Sequence, residues 1–205
     1  MRKQVSATRM ELLNQKKKLG LARRGHKLLK DKQDELLRVL QDLIKEVMQM
    51  RREVEDELIK AMKRFVLARA VTEPMYIEDA FMISTSTFSI TEARRSVMNV
   101  KIPVYESKFE GLLTSYGFLN TSGEMDLALE NLHAVFEKMI KLAEKERAII
   151  LLSEEMARTR RRVNALEFIL IPDIEEAIKT IYMKLSEMER GNISRLMRIK
   201  DVIRK

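Results

Sequence analysis

The sequence predicts a mostly α-helical protein in which a long N-terminal and a long C-terminal helix form an antiparallel two-helix coiled coil. Apolar residues recur at alternating intervals of three and four near both ends of the 205-residue chain, which is the pattern of a coiled coil. Helix breakers are scarce, with 6 Gly and 3 Pro. We expect residues 1–72 and 121–205 to be the two long helices and residues 73–120 to connect them.

The N-terminal helix is predicted from its seam, the set of positions that face the partner helix in a coiled coil. The seam runs from Leu12 to Val54 in steps of three and four. Beyond Val54 every step is four, which predicts a local unwinding of the supercoil. These later seam positions are Leu58, Met62 and Val66. The pair Glu73-Pro74 ends the helix, because proline disrupts a helix interior.

The middle segment is predicted to contain a β-hairpin that projects from the helices. Residues 80–105 are rich in Ser, Thr and β-branched residues, which favour strands over helices. Pro103 restricts its strand to an edge or an end, and residues 91–95 are expected to connect the two strands. An irregular loop is the alternative, because the periodicity of such short runs does not separate the two.

The C-terminal helix is predicted to begin at a capping box, Thr121 to Glu124, whose hydroxyl and carboxylate satisfy the first amides of a helix. Its predicted seam includes Leu132, Phe136, Met139, Leu166, Leu170, Ile174 and Ile178. Pro172 lies inside this seam, so we expect a bend near residues 168–172, with the helix continuing beyond it.

The charge of the chain, +8 in total, is concentrated at its two ends. Residues 1–32 contain eleven Lys or Arg against two acidic residues, and a second cationic cluster closes the chain. In the antiparallel pair, neighbouring residues are expected to have numbers that add up to about 205–211, so both clusters meet at one tip and Gly20 lies near Gly191. A cationic tip indicates an anionic partner: nucleic acid, a membrane surface or an acidic protein channel. A solvated helix face is the alternative.

The composition argues against an enzyme. The chain has 0 Cys, which excludes disulfides, a thiol nucleophile and thiolate metal sites. His26 and His133 lie too far apart in sequence to suggest a metal cluster, and His26 is expected to be a packed seam residue. No Gly-rich phosphate loop, catalytic triad or metal-ligand spacing is found, so we expect no catalytic residue, cofactor or metal. The sequence has no run of about 18 apolar residues and no secretory signal, so a cytoplasmic location is expected.

Seven strings of the sequence carry a resemblance to a known family. They are Thr8–Leu13, Leu21–Lys32, Thr159–Glu167, Ile171-Pro172, Ile178-Lys179, Glu187–Arg190 and Arg195–Lys200. In this order, and over nearly the whole chain, they resemble the D subunit of the archaeal and vacuolar-type rotary ATPases. The chain departs from that family at Ile193 and Ser194, where the family often carries aromatic residues.

The resemblance implies a non-catalytic rotor shaft. In that family the paired terminal helices enter a ring of catalytic A and B subunits, and the lower part binds the small F subunit of the stalk and a funnel-shaped subunit that caps the membrane ring. The shaft transmits torque between ATP synthesis or hydrolysis and ion translocation, binds no cofactor, and is peripheral to the membrane. The alternative function is a basic coiled coil that binds nucleic acid or an acidic partner. Against nucleic acid, aromatic residues make up only 5% of the chain and no nucleic-acid motif is found.

Two partner-binding surfaces are expected from this resemblance. The catalytic ring is expected to contact the tip, through Arg9, Met10, Leu13, Lys16, Lys17, Arg23, Arg24, Arg195, Arg198 and Ile199. The small stalk subunit is expected to contact the hairpin region, through Phe81, Ile83, Phe88, Val97, Val100 and Ile102. Long, hydrated Lys and Arg side chains at the tip make shallow charge contacts, which suit a shaft that turns inside a ring.

Overall fold

The structure is a computed structural model that describes residue 6 and residues 8–82, 85–117 and 121–204. The elements of this described part are, in chain order, α1 (Arg9–Val71), α2 (Pro74–Met82), β1 (Thr87–Val97), β2 (Val100–Glu110), α3 (Gly123–Ala165), a π-helical turn (Leu166–Leu170) and α4 (Ile171–Ile203). Two long helical segments with a small antiparallel sheet between them confirm the predicted fold class. The chain divides into a terminal unit, Met1–Glu35 with Met156–Lys205, and a central unit, Leu36–Glu155.

In the terminal unit, the first half of α1 packs antiparallel to the end of α3, the π turn and α4. The buried seam residues of this unit are Ala22, Thr159, Val163 and Ile181. Among the side-chain contacts that cross between the helices are Arg9–Glu189 at 2.7 Å, Arg23–Glu175 at 2.7 Å, and His26 Nε2–Glu167 Oε2 at 3.3 Å. His26 is therefore a half-buried packing residue, as predicted.

The register of this pair differs from the prediction. Arg9 pairs with Glu189 and Arg23 with Glu175, so the residue numbers of each pair add up to 198 rather than to 205–211. At this register Gly20 lies opposite residue 178, and Gly191 is thirteen residues, roughly 20 Å, further along α4. The predicted closeness of the two glycines is wrong, because a heptad pattern fixes which faces meet and leaves the axial offset open.

The predicted disturbance at Pro172 takes the form of the π turn, and the helix continues beyond it as predicted. Proline has no N–H to donate to the carbonyl four residues earlier, and its ring crowds that carbonyl. The N–H of Ile171 donates to the carbonyl of Leu166, five residues back. A π turn holds one residue more than an α turn, so the seam steps by five from Leu166 to Ile171. Leu170, predicted on the seam, is exposed.

In the central unit, α1 and α3 pack antiparallel around two small cores. One core contains Leu36, Ala148 and Leu152 of the helices with Ile102 of β2. The other contains Ala68 of α1, Ile77 and Ala80 of α2, and Met125 of α3. Ion pairs cross this helix pair as well, between Arg51 and Glu146 at 2.5 Å, Lys138 and Glu57 at 2.5 Å, and Lys145 and Glu46.

The seam of α1 keeps its heptad spacing after Val54. Ala61 and Ala68 are buried, whereas Met62 and Val66 are exposed, so the predicted run of four-residue steps is wrong. The prediction followed the larger apolar side chains. The structure places alanines on the seam, where a small side chain lets the helices approach closely.

The seam of α3 was also predicted in part incorrectly. Leu132, Phe136 and Met139 are exposed, and Met125, Ala128 and Val135 are buried in their place. The helix begins where the sequence predicts it, but the predicted capping box is not observed: among the described residues, no hydrogen bond joins Thr121 and Glu124. The hydroxyl of Thr121 donates to the carbonyl of Gly117, at 3.1 Å.

The β-hairpin is confirmed, with different bounds. β1 and β2 pair over their full length, and the turn is Met98-Asn99, where both residues have positive φ, 50° and 68°. Such φ values characterise tight two-residue hairpin turns, and asparagine tolerates them best among residues with a side chain. The predicted connection at residues 91–95 lies inside β1, and residues 80–82 belong to α2.

Candidate functional site

The residues predicted for the catalytic ring are all exposed in the terminal unit. Seven of them lie along the start of α1. Arg9 and Arg23 already have partners on α4, since they form the cross-helix ion pairs, and they therefore help to hold the helix pair. Arg24 donates from Nε to the carbonyl of Gly20 on its own helix, at 3.3 Å. Lys16 and Lys17 extend into solvent.

The remaining three ring-contact residues, Arg195, Arg198 and Ile199, lie on the last turns of α4. Glu189 contacts Arg9, the first residue of α1. Ile199 is ten residues beyond that contact, about 15 Å along α4, and Lys16 is seven residues, about 10 Å, in the opposite direction along α1. Within the described residues, the structure thus separates the predicted tip surface into two groups rather than one cluster.

The end of α4 also exposes large apolar side chains. Residues 186–204 are exposed throughout. The large apolar side chains among them are Met188, Ile193, Leu196, Met197, Ile199, Val202 and Ile203. No described residue of α1 lies beside the part after Arg190, because α1 begins opposite Glu189. This end of the helix therefore offers apolar and cationic side chains together.

The hairpin lies along α3 rather than projecting from the helices. Phe88 of β1 contacts Phe136 edge to face, with ring centroids 4.8 Å apart. Phe109 of β2 contacts His133, with centroids 4.6 Å apart. The hairpin packs in this way because an isolated two-stranded ribbon is marginal in water without a surface that covers its apolar face. A hydrogen bond also joins the hairpin to α3: the backbone amide of Tyr105 donates to the Glu144 carboxylate at 3.1 Å.

The structure places most residues predicted for the small stalk subunit against the chain's own helices. Ile102 is only 8% exposed, and Val97 and Val100 pack on the same core. Phe81 is the exposed member of the set and also contacts Phe65, with centroids 6.3 Å apart. Ile83 lies outside the described residues. Most of the exposed side chains of the hairpin are polar or charged, and Ile90 is exposed as well.

Two titratable groups of the central unit have displaced pKa values, and both have structural causes. Burial raises the pKa of Tyr116, and its hydroxyl donates to Asp126 at 2.5 Å, which raises the pKa further. The hydrogen bond to Glu146 raises the pKa of Arg51. In the part of the chain that the structure describes, no group of three His, Asp or Glu side chains is placed to hold a metal ion. Over the same residues, no helix combines the length and the apolar character needed to cross a membrane.

The long helices pack in pairs, the hairpin packs against them, and charged and apolar faces are exposed. These features define a structural, partner-binding protein. Comparison with known proteins identifies the family. The chain belongs to the family of ATP synthase D subunits, whose model matches residues 11–201.

Three relatives illustrate how complete the match is. The V-type ATP synthase D subunit of Thermoanaerobacter sp. (strain X514) is 48% identical over 203 residues, which cover 98% of this chain and 97% of the relative. Its counterpart in Acetivibrio thermocellus is 46% identical, covering 97% and 91%. The counterpart in Clostridium botulinum (strain ATCC 19397 / Type A) is 44% identical over 208 residues, covering 99% and 96%. The resemblance found in the sequence is confirmed, and with it the expectation of a non-catalytic component of the complex.

Proposed function

We propose that this chain is the central rotor shaft of a V-type ATP synthase. In this role it transmits torque between a ring of catalytic A and B subunits, which synthesise or hydrolyse ATP, and the ion-translocating ring in the membrane. The proposal rests on the family and on one feature of the structure: in both units, α1 is tied to the returning helices by a seam and by ion pairs. The chain would be held at the membrane through its partners, without entering the bilayer.

The cross-helix ion pairs suit a pair of helices that transmits torque. Torque applied at one end of a helix pair tends to slide the helices past each other. Arg9–Glu189 and Arg23–Glu175 oppose sliding in the terminal unit, and Arg51–Glu146 does so in the central unit. Each exposed pair contributes little alone. Several pairs at successive points along the helices resist the same displacement together.

The proposed partners are distributed over both units. The apolar and cationic end of α4, with Arg195, Arg198 and Ile199, would contact the A and B subunits, assisted by Lys16 and Lys17 on α1. The outer side of the hairpin and the exposed Phe81 would contact the small F subunit of the stalk, and a funnel-shaped subunit would connect the shaft to the membrane ring. We expect no nucleic acid among the partners.

Rotation itself is the decisive measurement. The chain has no cysteine, so Lys141→Cys, at an exposed position of α3, offers one thiol for a biotin and a bead. With the A and B ring fixed to a surface, ATP should turn the bead in one direction, in three steps per revolution. ATP hydrolysis by a complete complex with a stationary bead, while the bead is shown to be attached, would contradict the proposal.

The ring contact can be tested separately. Replacing Arg195 and Arg198 by alanine should weaken binding to the A and B ring by about tenfold or more, which corresponds to about 1.4 kcal/mol. The matched control is the double alanine replacement of Arg160 and Arg161, exposed arginines of α3 in the same unit, which should change binding less than about twofold. Equal losses in both variants would indicate only a general effect of charge.

A further inference from the structure

The outward face of α1 changes from charged to apolar near its C-terminal end. Counting back from Ile59 in steps of seven gives Arg52 and Lys45, both charged and both exposed. Val66 occupies the same heptad position one repeat later, and Met62 lies between Ile59 and Val66 on the same face. At this solvent-facing heptad position, charged side chains are thus followed by apolar ones nearer the C-terminal end of α1.

These apolar side chains are not part of the core. Ile59, Met62 and Val66 are 52%, 51% and 64% exposed, respectively. The core-facing positions of this part of α1 are occupied by Ala61 and Ala68, which are buried. We call Ile59, Met62 and Val66 the α1 stripe. Together with Leu58, Lys63 and Leu67 they line one open groove.

The charge along the stripe and beyond it is cationic, whereas Glu55 and Asp56, four and three residues before Ile59, are exposed acidic residues at its N-terminal end. Residues 58–72 contain four cationic residues and no acidic residue. The cationic residues are Lys60, Lys63, Arg64 and Arg69. The ion pairs formed among described residues do not include any of the four. Lys63 lies directly beside the stripe, four residues after Ile59 and three before Val66.

We propose that the α1 stripe binds an amphipathic α-helix with acidic flanks, supplied by another subunit of the assembly. The steps of three and four between its residues are those by which one helix packs against another. From Ile59 to Val66 the stripe extends over seven residues, roughly 10 Å, which matches two turns of a partner helix. Acidic flanks on that helix would meet Lys63 and Arg69, which lies three residues after Val66. A second copy of this chain is disfavoured, because an antiparallel pair of stripes centred on Met62 would bring Lys63 beside the same lysine of the other copy.

A cysteine-protection experiment tests the stripe with a closely matched control. Met62→Cys places one thiol in the stripe. Met48→Cys places one two heptads earlier at the same heptad position, where the native side chain is 61% exposed, against 51% for Met62. Both thiols should react with a maleimide at similar rates in the free chain. In the complex assembled by co-expression, Met62→Cys should react at least tenfold more slowly, and Met48→Cys less than threefold more slowly.

The outcomes separate this inference from the proposed function, on which it rests for the identity of the assembly. An assembled complex in which Met62→Cys reacts as fast as in the free chain overturns the inference alone. Equal protection of both thiols overturns the assignment to the stripe. Protection in the free chain that increases with its concentration shows a second copy as the occupant and overturns the proposal. If the unaltered chain forms no complex, the proposed function fails and this inference fails with it.

The acidic flank has its own measurement. A carbodiimide joins a lysine amine to a carboxylate only where the two are in contact. In the assembled complex, Lys63 should be linked to an Asp or Glu of a partner segment whose apolar residues repeat at three and four. Lys63→Gln should abolish this link, and Lys63→Glu should weaken the protection of Met62→Cys about tenfold. A link to a segment without that repeat overturns the proposal of a helix.

Discussion

Deleting Ile169 and replacing Pro172 by alanine, singly and together, tests why α3 and α4 are joined by a π turn. The seam around the turn runs through Val163, Leu166, Ile171, Ile174 and Ile178. Its steps are three, five, three and four, so removal of one residue between Leu166 and Ile171 restores an unbroken heptad repeat. Ile169 is the residue to delete because it is exposed. The π turn then has no extra residue to hold.

The three variants have different expected stabilities. Pro172→Ala alone leaves the five-residue step, so the π turn persists and the free energy of unfolding changes by less than about 1 kcal/mol. Deletion of Ile169 alone forces the proline into a regular α-helix interior, which costs about 3 kcal/mol. The double variant regains a regular helix with all its backbone hydrogen bonds and should be at least as stable as the unaltered chain. The coupling between the two changes is therefore about 3 kcal/mol.

Thermal and urea unfolding followed by circular dichroism measure this cycle. For a chain of this size, 3 kcal/mol corresponds to a shift in Tm of about 6–12 °C. The deletion should lower Tm by that amount, and adding Pro172→Ala should restore it. If Pro172→Ala alone raises stability by about 3 kcal/mol, the proline and not the additional residue causes the π turn. If the deletion alone is harmless, the five-residue step is not what the turn accommodates.

Three further changes have expected outcomes in stability measurements. Leu152→Ala removes a fully buried core side chain and should lower the free energy of unfolding by about 2–5 kcal/mol in urea titrations. Its control, Leu127→Ala, lies at an exposed position of the same helix and should lower it by less than about 1 kcal/mol. The raised pKa of Tyr116 predicts that its contribution to stability is fully present below pH 10 and is lost as the pH rises further, because the unfolded phenol ionises first, near 10.0. Tyr116→Phe should reduce this loss in urea midpoints compared at pH 9 and pH 11. Gly111→Ala should destabilise the chain by about 1–3 kcal/mol, since Gly111 has a φ of +112° and a Cβ there would lie 2.6 Å from a backbone oxygen. Gly20→Ala, with no atom within 4 Å of the added Cβ, should stabilise it by about 0.5–1 kcal/mol; thermal unfolding compares the two.

The seam of α1 up to Val54 was predictable because its apolar residues are large and their spacing is regular. Beyond that point the size of the side chain misled the prediction. Met62 and Val66 were assigned to the seam, and the structure places Ala61 and Ala68 there. Hydrophobicity alone favours the larger side chains, whereas close packing of two helices selects the smaller ones. Because Met62 and Val66 were assigned to the seam, the sequence did not predict that they belong to the exposed α1 stripe.

The hairpin shows a different limit. A strand-forming composition was visible, but the turn was not, because Met98 is an unusual residue for a position with positive φ. The packing of Phe88 on Phe136 joins residues 48 positions apart, and such a contact leaves no local signal. The hairpin residues predicted as partner contacts were therefore chosen by their apolar character, which in this case serves the chain's own core, as with Ile102.

In the terminal unit, the observed register of the helix pair is favoured by ion pairs that are individually weak. Sliding α4 by one heptad brings seam positions back onto seam positions, so apolar packing is nearly unchanged and does not choose between the two registers. The ion pairs favour the observed register. After a shift of seven residues towards the predicted register, Arg9 would face Leu196 instead of Glu189, and Arg23 would face Tyr182. An exposed ion pair contributes only about 0–1 kcal/mol, yet such differences decide between registers that are otherwise equivalent. The observed offset leaves the end of α4 beyond the start of α1, so the same weak contacts determine which apolar face of the chain remains open to a partner.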